Sequence, residues 1–86
     1  MAKITVYGAE WCGDCLRSMH FLNRHDVAYE YVDIGDDPAL SQKIVELNIQ
    51  AGFGPRRRIP IILVGEHVLS EPTNDELGRI LGIDGH

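Results

Sequence analysis

Cys12 and Cys15 are the only cysteines in this 86-residue chain. A short apolar run precedes them, and a segment with helical periodicity follows. A thiol at a helix N-terminus lies beside unpaired backbone N–H groups and the positive end of the helix dipole, which favour thiolate over thiol. Thiolate is the reactive form of cysteine. The placement of the pair therefore predicts a strand that leads directly into a helix carrying a reactive dithiol.

The composition is typical of a small globular protein. Hydrophobic residues make up 44% of the chain and charged residues 24%, and the net charge is −5. That charge disfavours nucleic acid or an anionic membrane as the partner, and no apolar run approaches the ~20 residues that span a bilayer. No signal peptide is recognisable. We therefore expect one domain over residues 1–86, a cytoplasmic location and a monomer. In a reducing compartment a lone cysteine pair is more often catalytic than structural.

Periodicity and turn signals predict seven elements in the order β-α-β-α-β-β-α. The expected strands cover residues 3–7, 27–34, 59–64 and 67–69. The first helix should cover residues 12–24, the second should begin at Asp37-Pro38, and the third at a capping box of Thr73 and Glu76. The expected buried stripes of the three helices are, in order, Cys15, Leu16, Met19 and Leu22; Leu40, Ile44 and Leu47; and Leu77, Ile80 and Leu81.

The order of the elements predicts the fold class. A right-handed βαβ unit makes the first two strands parallel, and the late hairpin adds two antiparallel strands. The expected structure is an α/β fold with a four-stranded mixed sheet and helices on both faces.

The sequence resembles the glutaredoxin family of the thioredoxin-fold superfamily, and within it the mycoredoxin type. The resemblance covers nearly the whole chain. It rests on the element order, on the Ile59-Pro60 pair before the third strand, and on three motifs: Trp11-Cys12-Gly13-x-Cys15-Leu16-Arg17, Ala28-Tyr29-x-x-Val32-Asp33-Ile34 and Leu69-Ser70-x-Pro72-Thr73.

The resemblance implies thiol–disulfide exchange on protein disulfides or on mixed disulfides between proteins and low-molecular-weight thiols. Cys12 would be the attacking thiol and Cys15 the resolving thiol. Ile59-Pro60 would form a cis peptide that faces the dithiol and presents backbone groups to substrate. No bound cofactor is implied, because electrons would come from an external thiol or an NADPH-dependent enzyme similar to thioredoxin reductase.

The identity of the thiol partner is left open by the resemblance. Glutathione-dependent members usually have lysine where this chain has Ala9, and Pro-Tyr where it has Gly13-Asp14. Their Gly-Gly-x-x-Asp segment is replaced here by residues 69–75. Within that segment, the thiol-binding candidates are Leu69, Ser70 and Asn74.

Other candidates flank the dithiol. Trp11 is expected to form a wall of the docking surface, with Gly13 and Asp14 supporting the site. The Asp14 carboxylate suits the helix dipole, but a like charge disfavours the nearby Cys12 thiolate, and pairing with Arg17 would reduce that effect. Three consecutive arginines precede Ile59-Pro60, where they could form a plain solvated loop or could receive an acidic thiol or an acidic partner surface: Arg56, Arg57 and Arg58.

A metal or iron–sulfur carrier is the alternative function. Cys12, Cys15, His20 and His25 have the spacing of a zinc knuckle. On one helix, however, successive residues turn by about 100°, so the four side chains cannot converge on a tetrahedral ion. We therefore predict no metal site on this helix and expect both histidines to be solvated. A cluster held by Cys12 and an added thiol stays open.

Overall fold

The computed structural model describes residues 3–83, which form four strands and three helices. The strands are β1 (Ile4–Gly8), β2 (Glu30–Asp33), β3 (Ile61–Val64) and β4 (His67–Ser70). The helices are α1 (Gly13–Arg24), α2 (Pro38–Gln50) and α3 (Asn74–Leu81). The predicted order is confirmed. None of the helices in these residues is long and apolar enough to cross a membrane.

The strands form one mixed sheet in the order β2-β1-β3-β4. β1 runs parallel to β2 and antiparallel to β3, and β4 returns antiparallel to β3. The hairpin turns at Gly65, whose φ of 59° lies in the left-handed region that glycine adopts without steric cost. The predicted sheet is therefore confirmed, and the end of β1 at Gly8 leads directly to the dithiol.

The sheet has an apolar core on each face. The first core lies under α1 and α3, and its buried members are Ile4, Val6, Phe21, Leu22, Ile62, Val64 and Leu77. The second core is covered by α2, and its buried members are Ala9, Cys12, Cys15, Ile34, Ile44, Leu47, Ile59 and Ile61. Both cysteines therefore belong to the core on the α2 side. The prediction of helices on both faces is confirmed.

The second and third helices begin at the N-capping residues that the sequence predicts. The Asp37 carboxylate accepts the backbone N–H of Ala39 at 2.9 Å, and Pro38 occupies the first turn. The Thr73 hydroxyl accepts the backbone N–H of Glu76 at 3.1 Å, and the Glu76 carboxylate accepts the Thr73 N–H at 3.4 Å. These reciprocal bonds fix the start of α3 beside the active-site end of α1.

Three predictions of detail were wrong. β2 begins at Glu30 rather than at residue 27, because the Val27 N–H donates to the Leu22 carbonyl and closes the end of α1. β3 begins at Ile61 rather than at residue 59, since Pro60 has no N–H to donate to a ladder. Leu16 is 51% exposed. It lies about 100° around the helix from Cys15, outside the buried face.

Candidate active site

The Cys12 sulfur caps the N-terminus of α1. Its backbone is extended, with φ of −92° and ψ of 109°, and its Sγ accepts the backbone N–H of Cys15 at 3.2 Å. The Cys12 N–H donates to the Ala9 carbonyl at 3.1 Å, which closes the turn after β1. A sulfur in the capping position receives an N–H that would otherwise have no partner in the helix. The local chain therefore provides hydrogen bonding for a thiolate at Cys12.

Cys15 lies deeper than Cys12, and both are free thiols. Cys15 is 0% exposed and Cys12 is 8% exposed, so Cys12 is less accessible than a helix terminus alone suggests. Burial raises the pKa of the Cys15 thiol from 9.0 to about 12, and its hydrogen bond with Cys12 contributes to the rise. At neutral pH, Cys15 is therefore a thiol.

The Ile59-Pro60 peptide is cis and lies across from the dithiol. The Cys12 thiol donates to the Ile59 carbonyl over a sulfur–oxygen distance of 3.9 Å. The Pro60 carbonyl accepts the backbone N–H of Glu71 at 2.9 Å, which ties this segment to the end of β4. The cis geometry that the family resemblance implied is confirmed.

Arg17 links the start of α1 to the start of α3. Its guanidinium donates to the Asn74 side-chain oxygen at 2.6 Å and to the Pro72 carbonyl at 2.9 Å. It also pairs with Asp14 at 3.6 Å, as expected. Next to these groups is a cavity of about 390 Å³, lined by Asp14, Arg17, Glu71, Thr73, Asn74 and Asp75. Asn74, one of the predicted thiol-binding residues, is therefore in the same cavity as Asp14.

Trp11 is 77% exposed and borders a second, larger groove. This groove has a volume of about 530 Å³, and its lining includes Trp11, Ile59, Arg57, Gln42 and Val45. It runs from the loop before Cys12 across the face of α2. Trp11 is therefore a surface residue beside the dithiol rather than part of the core.

The three arginines are not equivalent. Arg57 lines the groove beside Trp11. Arg56 donates from Nε to the Phe53 carbonyl of its own loop at 3.0 Å. Arg58 pairs with Glu71 at 3.2 Å and stacks on the Phe53 ring at 3.9 Å. Of the three arginines, only Arg57 is part of the groove lining.

Leu69 and Ser70 have inward contacts. The Leu69 side chain packs against the core under α1 and α3. Ser70 is buried, and its hydroxyl donates to the Asn48 side-chain oxygen at 2.6 Å. The Ser70 side chain is therefore used in packing, which leaves its backbone groups for binding a thiol, whereas the Leu69 side chain is only partly buried. The role of Leu69 and Ser70 in binding a thiol stays a prediction.

The residues with zinc-knuckle spacing are not brought together as a cluster in the described structure. Within residues 3–83, no group of three or more His, Cys, Asp or Glu side chains is arranged to hold a metal ion. His20 is exposed, whereas the His25 ring packs on Phe21 with centroids 4.6 Å apart. The expectation that both histidines are solvated is therefore correct for His20 and wrong for His25, which is partly buried.

Sequence reasoning missed three residues that shape the site. Asn48 is fully buried and connects α2, the Arg58 carbonyl and β4. Gly8 packs directly against Cys15, and Tyr31 borders the same space. Asn48 could have been noticed, because it follows Ile44 by four positions and so continues the apolar stripe of α2 with a polar side chain. Nothing in the local sequence marks the other two.

Comparison with known proteins agrees with this geometry. A glutaredoxin family model matches residues 4–69. A protein of Mycobacterium tuberculosis that is named as a glutaredoxin is 31% identical over 77 residues, covering 88% of this chain and 86% of the relative. The glutaredoxin-like protein NrdH of Lactococcus lactis is 23% identical over 77 residues, covering 90% of this chain and 97% of that protein.

The fold has solved counterparts. The crystal structure of a glutaredoxin from Archaeoglobus fulgidus superposes with a TM-score of 0.74 at 22% identity, covering 94% of this chain and 87% of that one. At that identity the likeness concerns the fold, while the family rests on the sequence match over residues 4–69. The chain belongs to the glutaredoxin family, whose members are thiol–disulfide oxidoreductases.

Proposed function

We propose that this protein reduces protein disulfides, or mixed disulfides between proteins and low-molecular-weight thiols, through a Cys12/Cys15 redox pair. The observation that carries the proposal is the unequal environment of the two thiols. The Cys12 sulfur caps α1 and accepts the Cys15 N–H at 3.2 Å, while Cys15 is fully buried with a raised pKa. Cys12 is therefore placed to attack a disulfide, and Cys15 stays protonated until the second step.

The reaction has two exchange steps. In the first, the Cys12 thiolate attacks a substrate sulfur, a Cys12–substrate disulfide forms, and the substrate disulfide breaks to release a thiolate that takes a proton from water. In the second, Cys15 loses its proton and attacks Cys12 Sγ. The Cys12–Cys15 disulfide forms, the mixed disulfide breaks, and the second substrate sulfur leaves as a thiol. The substrate gains two electrons and the dithiol loses them.

Completion of the cycle requires an external electron donor. A low-molecular-weight thiol, or an NADPH-dependent enzyme similar to thioredoxin reductase, would reduce the Cys12–Cys15 disulfide. The cycle uses no prosthetic group on the chain. Arg57 lies in the same groove as Trp11 and Ile59. Its positive charge would attract an acidic thiol or an acidic partner surface that approaches Cys12 along this groove.

Single-cysteine variants test the division of labour. Cys12→Ser should abolish reduction of both an insulin disulfide and a protein–glutathione mixed disulfide, because the attacking sulfur is gone. Cys15→Ser should trap a mixed disulfide with the substrate protein, which mass spectrometry detects. Iodoacetamide at neutral pH should label Cys12 and leave Cys15 unmodified, since Cys15 is buried and protonated. Preferential labelling of Cys15, or full activity in the Cys12 variant, would contradict the assignment.

The electron donor and the alternative function can be tested on the same preparation. The oxidised protein is offered glutathione, cysteine, and thioredoxin reductase with NADPH, and the rate of dithiol formation identifies the donor. Absorbance and metal analysis of the freshly purified protein test the carrier function. Visible bands or stoichiometric metal would favour a metal or iron–sulfur carrier, whereas a colourless protein with a reversible dithiol supports the oxidoreductase.

A further inference from the structure

Tyr31 brings a hydroxyl group into the interior beside the dithiol. It lies in β2, where it is paired in register with Val6 and packs against the core under α1 and α3. Its hydroxyl oxygen is buried, and within residues 3–83 it has no hydrogen-bond partner. A buried hydroxyl without a partner lowers the stability of the folded state. Its presence in a native fold calls for another explanation, such as a part in catalysis.

Gly8 brings Tyr31 close to the resolving cysteine. The point that a Cβ of Gly8 would occupy is 2.9 Å from Cys15 Sγ and 3.4 Å from Tyr31 Cε1. Cε1 is the ring carbon next to the one that carries the hydroxyl. Because Gly8 has no side chain, the Cys15 sulfur and the hydroxyl-bearing half of the Tyr31 ring border the same space. The unpartnered hydroxyl is thus on the side of the ring that approaches a reacting sulfur.

The charges around this space keep Tyr31 protonated. Burial raises the pKa of Tyr31, and the charges of Asp33, Cys15, Glu10 and Cys12 raise it further. Cys15 in turn faces Cys12 and Asp14, which oppose its ionisation in addition to burial. A tyrosine that keeps its proton is a permanent hydrogen-bond donor. A backbone hydrogen bond from Ala9 already lowers the pKa of Cys15, and the Tyr31 O–H would add a second donor to the buried thiolate.

We propose that Tyr31 is a positioning residue for the second exchange step, in which its O–H donates a hydrogen bond to the sulfur of Cys15 as the thiolate forms. This inference rests on the proposed function. Cys15 gives its proton to water and its thiolate attacks Cys12 Sγ. The Cys12–Cys15 bond forms as the bond to the substrate sulfur breaks, and the departing thiolate takes up a proton. Tyr31 neither gains nor loses a proton, and it stabilises the charge on Cys15 before attack.

Ser18 is the other buried hydroxyl without a partner among residues 3–83, and it has a simpler explanation. It lies on α1 one turn after Cys15 and is fully buried. A serine hydroxyl in a helix reaches the carbonyl one turn back by a change of rotamer. Tyr31 has no such alternative, because its ring holds the hydroxyl too far from its own backbone carbonyls. The hydroxyl does not bond to Cys15 Sγ in the reduced protein, so a small rotation of this half-buried side chain accompanies formation of the thiolate.

The test uses Tyr31→Phe, with Tyr29→Phe as the matched control. Tyr29 packs against the same core two residues earlier in the chain. The reduced protein is mixed with Ellman's reagent in a stopped-flow instrument. Attack by Cys12 releases the first thionitrobenzoate, and attack by Cys15 on the mixed disulfide releases the second. The two phases of absorbance therefore report the two steps separately, over a range of pH.

We expect the second phase of Tyr31→Phe to be about tenfold slower than in the wild type at neutral pH, because a hydrogen bond to a charged sulfur is lost. Its rate–pH profile should shift to higher pH by about one unit. The first phase, and both phases of Tyr29→Phe, should be unchanged. The melting temperature of reduced Tyr31→Phe should be equal or higher, since the variant loses an unpartnered hydroxyl.

An unchanged second phase in Tyr31→Phe would overturn the proposal. Equal slowing of both phases together with a lower melting temperature would also overturn it, because the hydroxyl would then serve the structure alone. A different result would show that the proposed function itself is wrong. In that case the first phase would persist in Cys12→Ser, whatever the result with Tyr31→Phe.

Discussion

Gly8 is the residue where the fold and the chemistry have the tightest steric connection. Its φ is not in the left-handed region, so its backbone conformation does not require glycine. Close approach does require it, because a Cβ at this position would be 2.9 Å from Cys15 Sγ and 3.1 Å from Cys15 Cβ. The end of β1 and the first turn of α1 can therefore pack together only if one side chain is absent.

Gly8→Ala should lower the free energy of unfolding of the reduced protein by about 1–3 kcal/mol, because an extra methyl group in a filled core displaces its neighbours. The displaced neighbour is Cys15, so resolution of the mixed disulfide should also slow. Urea denaturation and the Ellman's reagent assay measure the two effects. Gly13→Ala is the control for stability, since no atom lies within 4 Å of the added Cβ. Equal stability of the two variants would contradict the steric argument.

At the scale of elements, Asn48 joins three segments around the site. Its side-chain NH₂ donates to the Ile44 carbonyl at 2.9 Å and to the Arg58 carbonyl at 3.1 Å, and its oxygen accepts the Ser70 hydroxyl at 2.6 Å. It thereby connects α2 to β4 and to the residue that precedes Ile59. Helix α2 thus helps to hold the segment that faces Cys12.

Asn48→Ala should lower the free energy of unfolding by about 2–4 kcal/mol, because it leaves the Ser70 hydroxyl and the Arg58 carbonyl without this partner. A double-mutant cycle with Ser70→Ala separates the contributions. If the hydrogen bond between the two side chains is important, the double variant should be more stable than the sum of the single losses predicts. Additive losses in urea denaturation would show that the two residues act independently.

At the scale of the whole molecule, the charge distribution is uneven. The chain has a net charge of −5, yet three consecutive arginines precede the segment that faces the dithiol. The acid-rich cavity beside Asp14 and Asn74 and the groove beside Trp11 and Arg57 are separate features. An anionic thiol is therefore expected to approach along the groove rather than through the cavity.

Arg57→Gln should slow reduction of the oxidised protein by glutathione about two- to fivefold at low ionic strength, because a positive charge in the groove is lost. The difference should vanish at high salt, which screens exposed charges within a few ångströms. Cysteamine, a cationic thiol, should show no such loss. Arg56→Gln, which removes a side chain bonded within its own loop, should retain most of the rate. Equal effects of the two substitutions would indicate a general charge effect.

The elements and the dithiol were predictable because their determinants are close together along the chain. The Asp37 cap, the Thr73–Glu76 box and the two cysteines each act through partners within about one helical turn. Helical periodicity located most of each buried stripe for the same reason, and the resemblance to glutaredoxins supplied the cis peptide. Leu16 was misplaced because apolar character does not set the rotation of a helix against its sheet.

Only the tertiary structure decided which distant groups meet at the dithiol. Cys12 and Ile59 are 47 positions apart, and Arg17 and Asn74 are 57 apart. Contacts of this kind depend on strand register and on how the helices pack, so no local pattern encodes them. Packing likewise separated the three arginines, turned the Ser70 hydroxyl inward, and placed the Tyr31 ring beside Cys15 across a glycine. The sequence by itself determined which residues could react, while packing across the sheet determined the surroundings in which they do so.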